Sequence, residues 1–198
     1  MPVAPKRLFA SDNAAGAHPL VLEAMTRANS GHALAYGQDD LTHQVELQFS
    51  ELFGADVRTM FVYGGTGANV MALAAMLKSA EAVVCTSWSH IAVDETGAPE
   101  RVLGAKLIDL PSPDGKLRPD QLRALTGIIG SQHHAQPGVV SITQPTELGM
   151  LYSADEVRVL CDTAHDMGML VHMDCARVAN ATAALGANTA TLRSFTIQ

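Results

Sequence analysis

The stretch VVSITQPTELGMLYSADEVRVLCDTAHDMGMLVHM, residues 139–173, holds two short apolar runs on either side of a helical pattern. Val139–Thr143 and Leu170–Met173 are nearly continuous in apolar character, which is typical of strands that are buried on both faces. Between them, Ser153 is followed three residues later by Glu156, a capping box that predicts the start of a helix. A strand, a helix and a second strand in this order predict a parallel strand pair.

The same alternation extends along the rest of the chain. We predict helices over 18–29, 40–53, 68–79 and 153–167, and further strands over 59–63, 82–86 and 105–110. Apolar strands separated by helices predict a mainly parallel sheet that is covered on both faces. The predicted fold class is therefore α/β.

Composition and charge exclude several classes of protein. The chain has 198 residues, of which 47% are hydrophobic and 17% charged, as expected of a globular domain with a sizeable core. The formal net charge of −7 and the absence of a Lys/Arg run argue against a nucleic-acid surface. No apolar stretch approaches the length of a membrane span, and the N-terminus MPVAPKRLFASDN has no apolar core behind its two basic residues, so no secretory signal is predicted.

The cysteines indicate the compartment. Cys85, Cys161 and Cys175 are odd in number and scattered, so they predict reduced core thiols rather than a disulfide framework. We therefore expect a cytoplasmic protein.

Four segments follow predicted strands, and open α/β sheets bind ligands outside the carboxyl ends of their strands. They are GGTGAN (64–69), SWSHIAVDETGAPE (87–100), TQPTELG (143–149) and MDCAR (173–177). The glycines of GGTGAN would let an anion approach a helix N-terminus closely. The segment is not a Walker loop, because no Gly-Lys-Ser/Thr follows, and it is a poor dinucleotide fingerprint, because Val70 stands in place of the third glycine. If the segment binds an anion, a single phosphate fits better than a pyrophosphate. A tight turn between strand and helix explains the glycines equally well.

The charged and histidine side chains of the other segments each have two interpretations. His90 at a strand end either stacks on a flat ring or is simply half-buried, and Glu95 with Arg101 suits a helix-surface pair. Asp174 either caps a helix that starts near Ala176 or faces a ligand cation.

In the second case, the planar guanidinium of Arg177 would hold an anionic group. The adjacent His133 and His134 are a weak metal signal, and no metal site is predicted.

Taken together, the motifs resemble those of the low-specificity L-threonine aldolases, pyridoxal-phosphate enzymes of the aspartate-aminotransferase-like fold (fold type I). The matching segments are Ser11-Asp12-Asn13, Tyr36-Gly37, GGTGAN, Ser89-His90, Glu95-Thr96-Gly97-Ala98, Thr146-Glu147-Leu148-Gly149 and His172-Met173-Asp174-x-Ala176-Arg177 with Asn180. The resemblance covers nearly the whole chain and implies a three-layer α/β architecture.

The resemblance also implies roles for individual residues around pyridoxal 5′-phosphate. The phosphate group would be bound by Gly65, Thr66, Gly67 and Asn69. His90 would stack on the pyridine ring, and Asp174 would pair with the ring nitrogen and keep it protonated. Arg177 would contact the cofactor and, with Ser11 and Tyr36, bind the amino-acid substrate.

His133 matches a histidine that acts on the β-hydroxyl of the substrate. The implied reaction cleaves L-threonine, L-allo-threonine and related 3-hydroxy amino acids to glycine and an aldehyde.

Two departures from the family pattern bear on activity. Cys175 replaces the usual glycine beside Asp174. The chain also ends at Gln198 before the segment that carries the Schiff-base lysine, and Lys6, Lys78, Lys106 and Lys116 fall in none of the matching motifs. The resemblance thus implies an N-terminal arm and helix over 1–30 and a partial large cofactor-binding domain over 31–198, with the C-terminal small domain absent. We expect little activity from these 198 residues alone.

Other functions remain open at this stage. The same fold would serve another β-eliminating lyase or a racemase, and the glycine loop would also suit a phosphate-binding module without catalysis. Members of the family are homodimers or homotetramers, so a homo-oligomer is expected, with no nucleic-acid or membrane partner.

Overall fold

A computed structural model describes residues 11–54, 57–186 and Arg193. The chain divides into two compact units, one up to Val45 and the other from Glu46 onward. Helix α1 (Pro19–Ala28) and the first residues of α2 (Asp40–Phe53) belong to the first unit. His18 precedes α1, and its Nδ1 accepts a hydrogen bond from the N–H of Leu20 at 3.2 Å, which caps the helix. Both predicted helices are confirmed.

The second unit is a parallel sheet with connecting helices. Its elements are α3 (Gly65–Met76), β1 (Glu81–Thr86), α4 (His90–Val93), α5 (Ala98–Leu103), β2 (Lys106–Leu110), α6 (Pro119–Arg123), β3 (Gln136–Thr143), α7 (Ala154–Asp166), β4 (Leu170–Asp174) and α8 (Val178–Ala184). Two short 3₁₀ helices, Asp12–Ala14 and Ala124–Ile128, complete the described elements.

The four strands lie in the order β2-β1-β3-β4, and every neighbouring pair is parallel. Their register aligns Ile108, Val84, Val140 and Val171 in one row across the sheet. All four residues of this row are β-branched, and such side chains pack well on the pleated surface of a sheet. The predicted parallel sheet is confirmed.

Side chains that alternate along the strands build one core on each face of the sheet. Val84, Val140 and Val171 pack with residues of α6 and α7. Val83, Cys85 and Val139 point the other way and pack with Leu73 of α3 and Ile91 of α4. Helix, sheet and helix form three layers, as the resemblance implied.

The strand predicted over 59–63 is wrong. Residues 57–62 form neither helix nor strand, and Met60 and Phe61 are exposed. A strand requires a neighbour for its backbone hydrogen bonds, and no described strand pairs with this segment. An apolar run alone is therefore not sufficient evidence for a strand.

Two further differences concern local detail. Helix α3 begins at Gly65, three residues before the predicted start at Ala68, so the glycine segment forms the first turn of the helix. Cys85 and Cys161 are buried free thiols as predicted, whereas Cys175 is exposed, which corrects its assignment to the core. Cys175 is exposed because it follows β4 in the turn before α8.

The sheet order reverses between β1 and β3. From β1 the chain passes through α4 and α5 to β2, and from β3 it passes through α7 to β4 on the other side of the sheet. The loops that leave β1 and β3 therefore diverge to opposite faces and leave a crevice at their carboxyl ends. Ligands of open α/β folds bind at such a switch point.

Candidate active site

The loops that follow β1 and β3 are joined across the crevice by a carboxylate. The backbone N–H of His90 donates to Oε1 of Glu147 at 2.8 Å. The hydroxyl of Thr143, the last residue of β3, donates to the same oxygen at 2.8 Å. Glu147 thereby ties the start of α4 to the end of β3.

A chain of polar side chains connects this loop to the end of β4. Nδ1 of His90 lies 2.9 Å from Oε1 of Glu95. The side-chain amide of Asn69 donates to that same oxygen at 2.7 Å and to Oδ2 of Asp174 at 3.1 Å. Asn69 and Glu95 are buried, whereas the side chain of His90 is 41% exposed. The predicted residues His90, Asn69 and Asp174 therefore belong to one hydrogen-bonded cluster.

Asp174 does not cap the following helix. Its Oδ1 accepts a hydrogen bond from the N–H of Ala176 at 2.9 Å, but α8 begins only at Val178, after Arg177. The contact is a local turn of the Asx kind, in which an aspartate binds its own backbone two residues on. The capping interpretation, which placed the helix start near Ala176, is thus wrong, because the chain makes this turn first.

His172 lies beneath Asp174 on the same face of β4, because residues two apart in a strand point the same way. Its Nδ1 lies 2.9 Å from the hydroxyl of Ser141 on the neighbouring strand. Burial lowers the pKa of His172, and the nearby carboxylates of Asp174 and Glu95 oppose that shift. Burial dominates, so the ring favours its neutral form under the cluster.

The glycine segment presents an open helix N-terminus. A Cβ atom added at Gly64 or Gly65 would meet no atom within 4 Å, and no side chain caps the first turn of α3. The φ angle of Gly64, −163°, is one that any residue adopts, so the turn itself does not require glycine there. Bare backbone facing open space suits the close approach of an anion, which favours the phosphate interpretation over the tight turn.

Other predicted residues lie outside the cluster. His133 is exposed and precedes β3, so β3 separates it from the carboxyl edge by roughly 25 Å, at about 3.3 Å per residue. Ser11 and Tyr36 belong to the first unit; the Ser11 hydroxyl accepts from the N–H of Asn13, and Tyr36 is fully exposed at a φ of 63°. Arg177 stands at the start of α8, three residues beyond Asp174.

The described lysines are placed apart from this cluster. Lys106 is the first residue of β2, at the amino edge of the sheet, and Lys78 lies just before β1. Lys116 is buried, where its amine donates to the carbonyl of Leu151 and to Glu156. Lys6 lies outside the described residues.

Two contributors were missed by sequence reasoning. Glu95 is only 3% exposed, so its interpretation as a surface partner of Arg101 is wrong. The signal that would have found it is its place in a segment that follows a strand and contains His90. Glu147 lies in one of the motifs, but nothing in its local pattern shows that it reaches across to another loop.

The described residues contain neither a candidate metal-binding group nor a membrane-spanning helix. No group of three or more His, Cys, Asp or Glu is arranged to hold a metal ion within this part of the chain. Among its helices, none has the length and apolar character needed to cross a membrane.

Comparison with known proteins identifies the family. The sequence profile of the beta-eliminating lyases matches residues 9–196. The chain belongs to the beta-eliminating lyase family. It is 40% identical over 185 residues to the low specificity L-threonine aldolase of a Pseudomonas species, an alignment that covers 93% of this chain and 54% of that enzyme. The chain thus spans about half the length of that relative.

Solved structures agree with this assignment. The threonine aldolase of Leishmania major superposes with a TM-score of 0.81 and 33% identity, covering 85% of this chain and 49% of the other. The pyridoxamine-pyruvate aminotransferase of Mesorhizobium loti gives a TM-score of 0.54 at 16% identity over 80% of this chain and 39% of the other, which shows the shared fold alone. The fold is that of the fold type I pyridoxal-phosphate enzymes.

Beta-eliminating lyases and threonine aldolases depend on pyridoxal 5′-phosphate, and the residues of this chain fit that group. A carboxylate held by Asn69 at the carboxyl edge suits a protonated pyridine nitrogen, and the open N-terminus of α3 suits a phosphate. Both features lie in the second unit of the chain.

Proposed function

We propose that the protein carrying this chain cleaves L-threonine, L-allo-threonine and related 3-hydroxy amino acids to glycine and an aldehyde, with pyridoxal 5′-phosphate as cofactor. The observation that carries the proposal is the position of the Asp174 carboxylate at the end of β4. The side-chain amide of Asn69 donates a hydrogen bond to this carboxylate at 3.1 Å, and His90 belongs to the same cluster. A passive phosphate-binding module has no need of an anion at that position. The likeness to threonine aldolases in sequence and in structure supports the same reaction.

The cofactor-binding roles follow from charge and position. Asp174 would pair with the pyridine nitrogen and keep it protonated, and His90 would stack on the ring. Gly65, Thr66 and Gly67 would bind the phosphate through backbone N–H groups and a hydroxyl at the start of α3. The amide of Asn69 is already engaged by Glu95 and Asp174, so we propose that it supports the site through Asp174 rather than through the phosphate.

When bound, the cofactor supplies an electron sink for the electron pair that the broken bond leaves on the α-carbon. The residues of this chain would contribute binding and proton transfer. Arg177, which also contacts the cofactor in this proposal, would hold the substrate carboxylate, and Ser11 and Tyr36 are further proposed substrate-binding residues. His133 would take the proton of the β-hydroxyl.

The bond changes balance without a further reactant. The hydroxyl oxygen becomes the carbonyl oxygen of the aldehyde, the Cα–Cβ bond breaks, and a proton is added at Cα to give glycine.

We further propose a homodimer or homotetramer in the cytoplasm. Within one chain His133 lies at the opposite edge of the sheet from Asp174, so its proposed role requires that it be supplied by a second copy. The buried free thiols of Cys85 and Cys161 suit a reducing compartment.

The test is product analysis with the purified full-length protein, pyridoxal 5′-phosphate and L-threonine. We expect glycine and acetaldehyde in equal amounts, and loss of both products in Asp174→Ala. Formation of ammonia and a 2-oxo acid instead would identify a β-eliminating lyase, and formation of D-threonine would identify a racemase. Cofactor binding without any product would identify a binding module.

A further inference from the structure

We propose that Glu95 is a positioning residue, which fixes the tautomer of the His90 ring and, through the amide of Asn69, the orientation of the Asp174 carboxylate. The contacts themselves stand without the proposed function. Only the statement that His90 and Asp174 face a cofactor ring rests on it.

One carboxylate oxygen of Glu95 accepts hydrogen bonds from two side chains. Oε1 of Glu95 lies 2.9 Å from Nδ1 of His90 and 2.7 Å from the amide nitrogen of Asn69. A carboxylate only accepts hydrogen bonds, so both nitrogens donate to it. The proton of the neutral His90 ring is therefore on Nδ1, which leaves Nε2 as an acceptor.

The side-chain amide of Asn69 is shared between two carboxylates. The Asn69 side chain donates to Glu95 and to Asp174, and its two contacts use the same nitrogen. Its orientation is thereby fixed, because only the NH₂ group of an asparagine amide can donate to two carboxylates. A change at Glu95 is thus transmitted to Asp174, which Glu95 does not touch.

Packing alone does not explain a glutamate at position 95. Its side chain is fully buried, and its Oε2 has no hydrogen-bond partner among the described residues. Burying a carboxylate oxygen without a partner is costly, and an apolar side chain would fill the same space without that cost. Such an exception indicates a role for the charge of Glu95 at its other oxygen.

A second carboxylate shows that His90 is held at two points. Glu147 accepts from the backbone N–H of His90, and its own Oε2 is also buried without a partner in the described chain. Glu147 therefore places the residue, whereas Glu95 orients the ring. Two carboxylates from different loops, each with one buried oxygen that has no partner in the described chain, converge on one histidine.

The experiment uses ¹⁵N NMR of the histidine rings in the cofactor-free protein, at a pH where the rings are neutral. We expect His90 to be protonated at Nδ1 in the wild type, and to shift toward the Nε2–H form of free histidine in Glu95→Gln and more fully in Glu95→Ala. Glu100→Gln is the matched control, since Glu100 is exposed on the neighbouring helix α5, and its His90 signals should be unchanged.

A second readout tests the link to Asp174. Glu95→Gln should weaken binding of pyridoxal 5′-phosphate by about tenfold, the effect of one charge-assisted hydrogen bond, while Glu100→Gln should not. A wild-type His90 protonated at Nε2 would overturn the proposal, even if no variant folds. An unchanged tautomer in both folded Glu95 variants would also overturn it, and neither outcome depends on whether the protein cleaves threonine.

Discussion

Asp174 and His90 are connected through two other side chains rather than by direct contact. Glu95 and Asn69 stand between them, and both are buried, whereas the two residues that they connect are partly open to solvent. Buried polar side chains with fixed partners hold their neighbours in one geometry. At the scale of single residues, the site is therefore a rigid support beneath two accessible groups.

His172 gives a prediction at this scale, because burial lowers its pKa from the ordinary value of 6.5. As the pH falls through that value, the unfolded chain takes up a proton at this position before the folded chain does, so acid lowers the free energy of unfolding. We expect His172→Asn to lose less stability on acidification than the wild type. Asparagine retains a polar atom near Nδ1 for Ser141 but cannot titrate.

The measurement is urea unfolding at about pH 8 and about pH 5, followed by circular dichroism. His134→Asn is the control, since it makes the same substitution at an exposed histidine outside β4. An equal loss of stability with acid in His172→Asn and wild type would contradict the assignment of a lowered pKa.

At the scale of elements, the site depends on where the strands end. The crevice forms because β1 and β3 are neighbours whose connections leave to opposite faces. Glu147 then bridges the two loops with a hydrogen bond of 2.8 Å to the backbone of His90. Helix α7 fixes the position of β4, and therefore of Asp174, since it connects β3 to β4 and packs on the same core.

The cap of α7 gives a prediction at this scale. The hydroxyl of Ser153 accepts from the N–H of Glu156, and the carboxylate of Glu156 accepts from the N–H of Ser153. We expect Ser153→Ala to lower the free energy of unfolding by about 1 kcal/mol, because one donor of the first turn loses its partner. Chemical denaturation measures the loss, and the exposed Ser79, replaced by alanine, is the control.

No change in Ser153→Ala relative to Ser79→Ala would show that water replaces the cap at no cost. A loss several times larger would show that the cap holds the whole strand–helix–strand unit.

Much of the second unit was predictable from the sequence because its signals are local. Strands β1 to β4 are short apolar runs and α7 begins with a capping box, and both signals are contained within a few neighbouring residues. The strand predicted over 59–63 does not form, because a strand also depends on a partner elsewhere in the chain. Short helices such as α4 and α6 were missed because they are too brief to show a period.

The candidate site was predictable only in part, for a similar physical reason. Asp174, His90 and the glycine segment are found from their place after strands, and the resemblance gave them roles. The contact of Glu95 with Asn69 and that of Glu147 with His90 join residues that are far apart in the sequence, so these two contacts follow from the folded structure alone.

At the scale of the whole molecule, the chain contains a three-layer unit of the fold type I enzymes and matches 54% of the length of a threonine aldolase. The second unit carries the glycine segment, His90 and Asp174, and the first carries Ser11 and Tyr36. Binding of the cofactor can therefore be tested separately from turnover of the substrate.

The most direct test is an equilibrium titration of the protein with pyridoxal 5′-phosphate, followed by absorbance. We compare the wild type with Asp174→Ala, and with Asp94→Ala as the control, since Asp94 is exposed and carries the same charge, but no hydrogen bond of the described residues joins its side chain to the cluster. We expect Asp174→Ala to weaken binding by about tenfold to a hundredfold, the effect of one hydrogen bond to a charged group, and Asp94→Ala to leave it unchanged. Equal affinity of Asp174→Ala and wild type would contradict the assignment of Asp174 to the pyridine nitrogen.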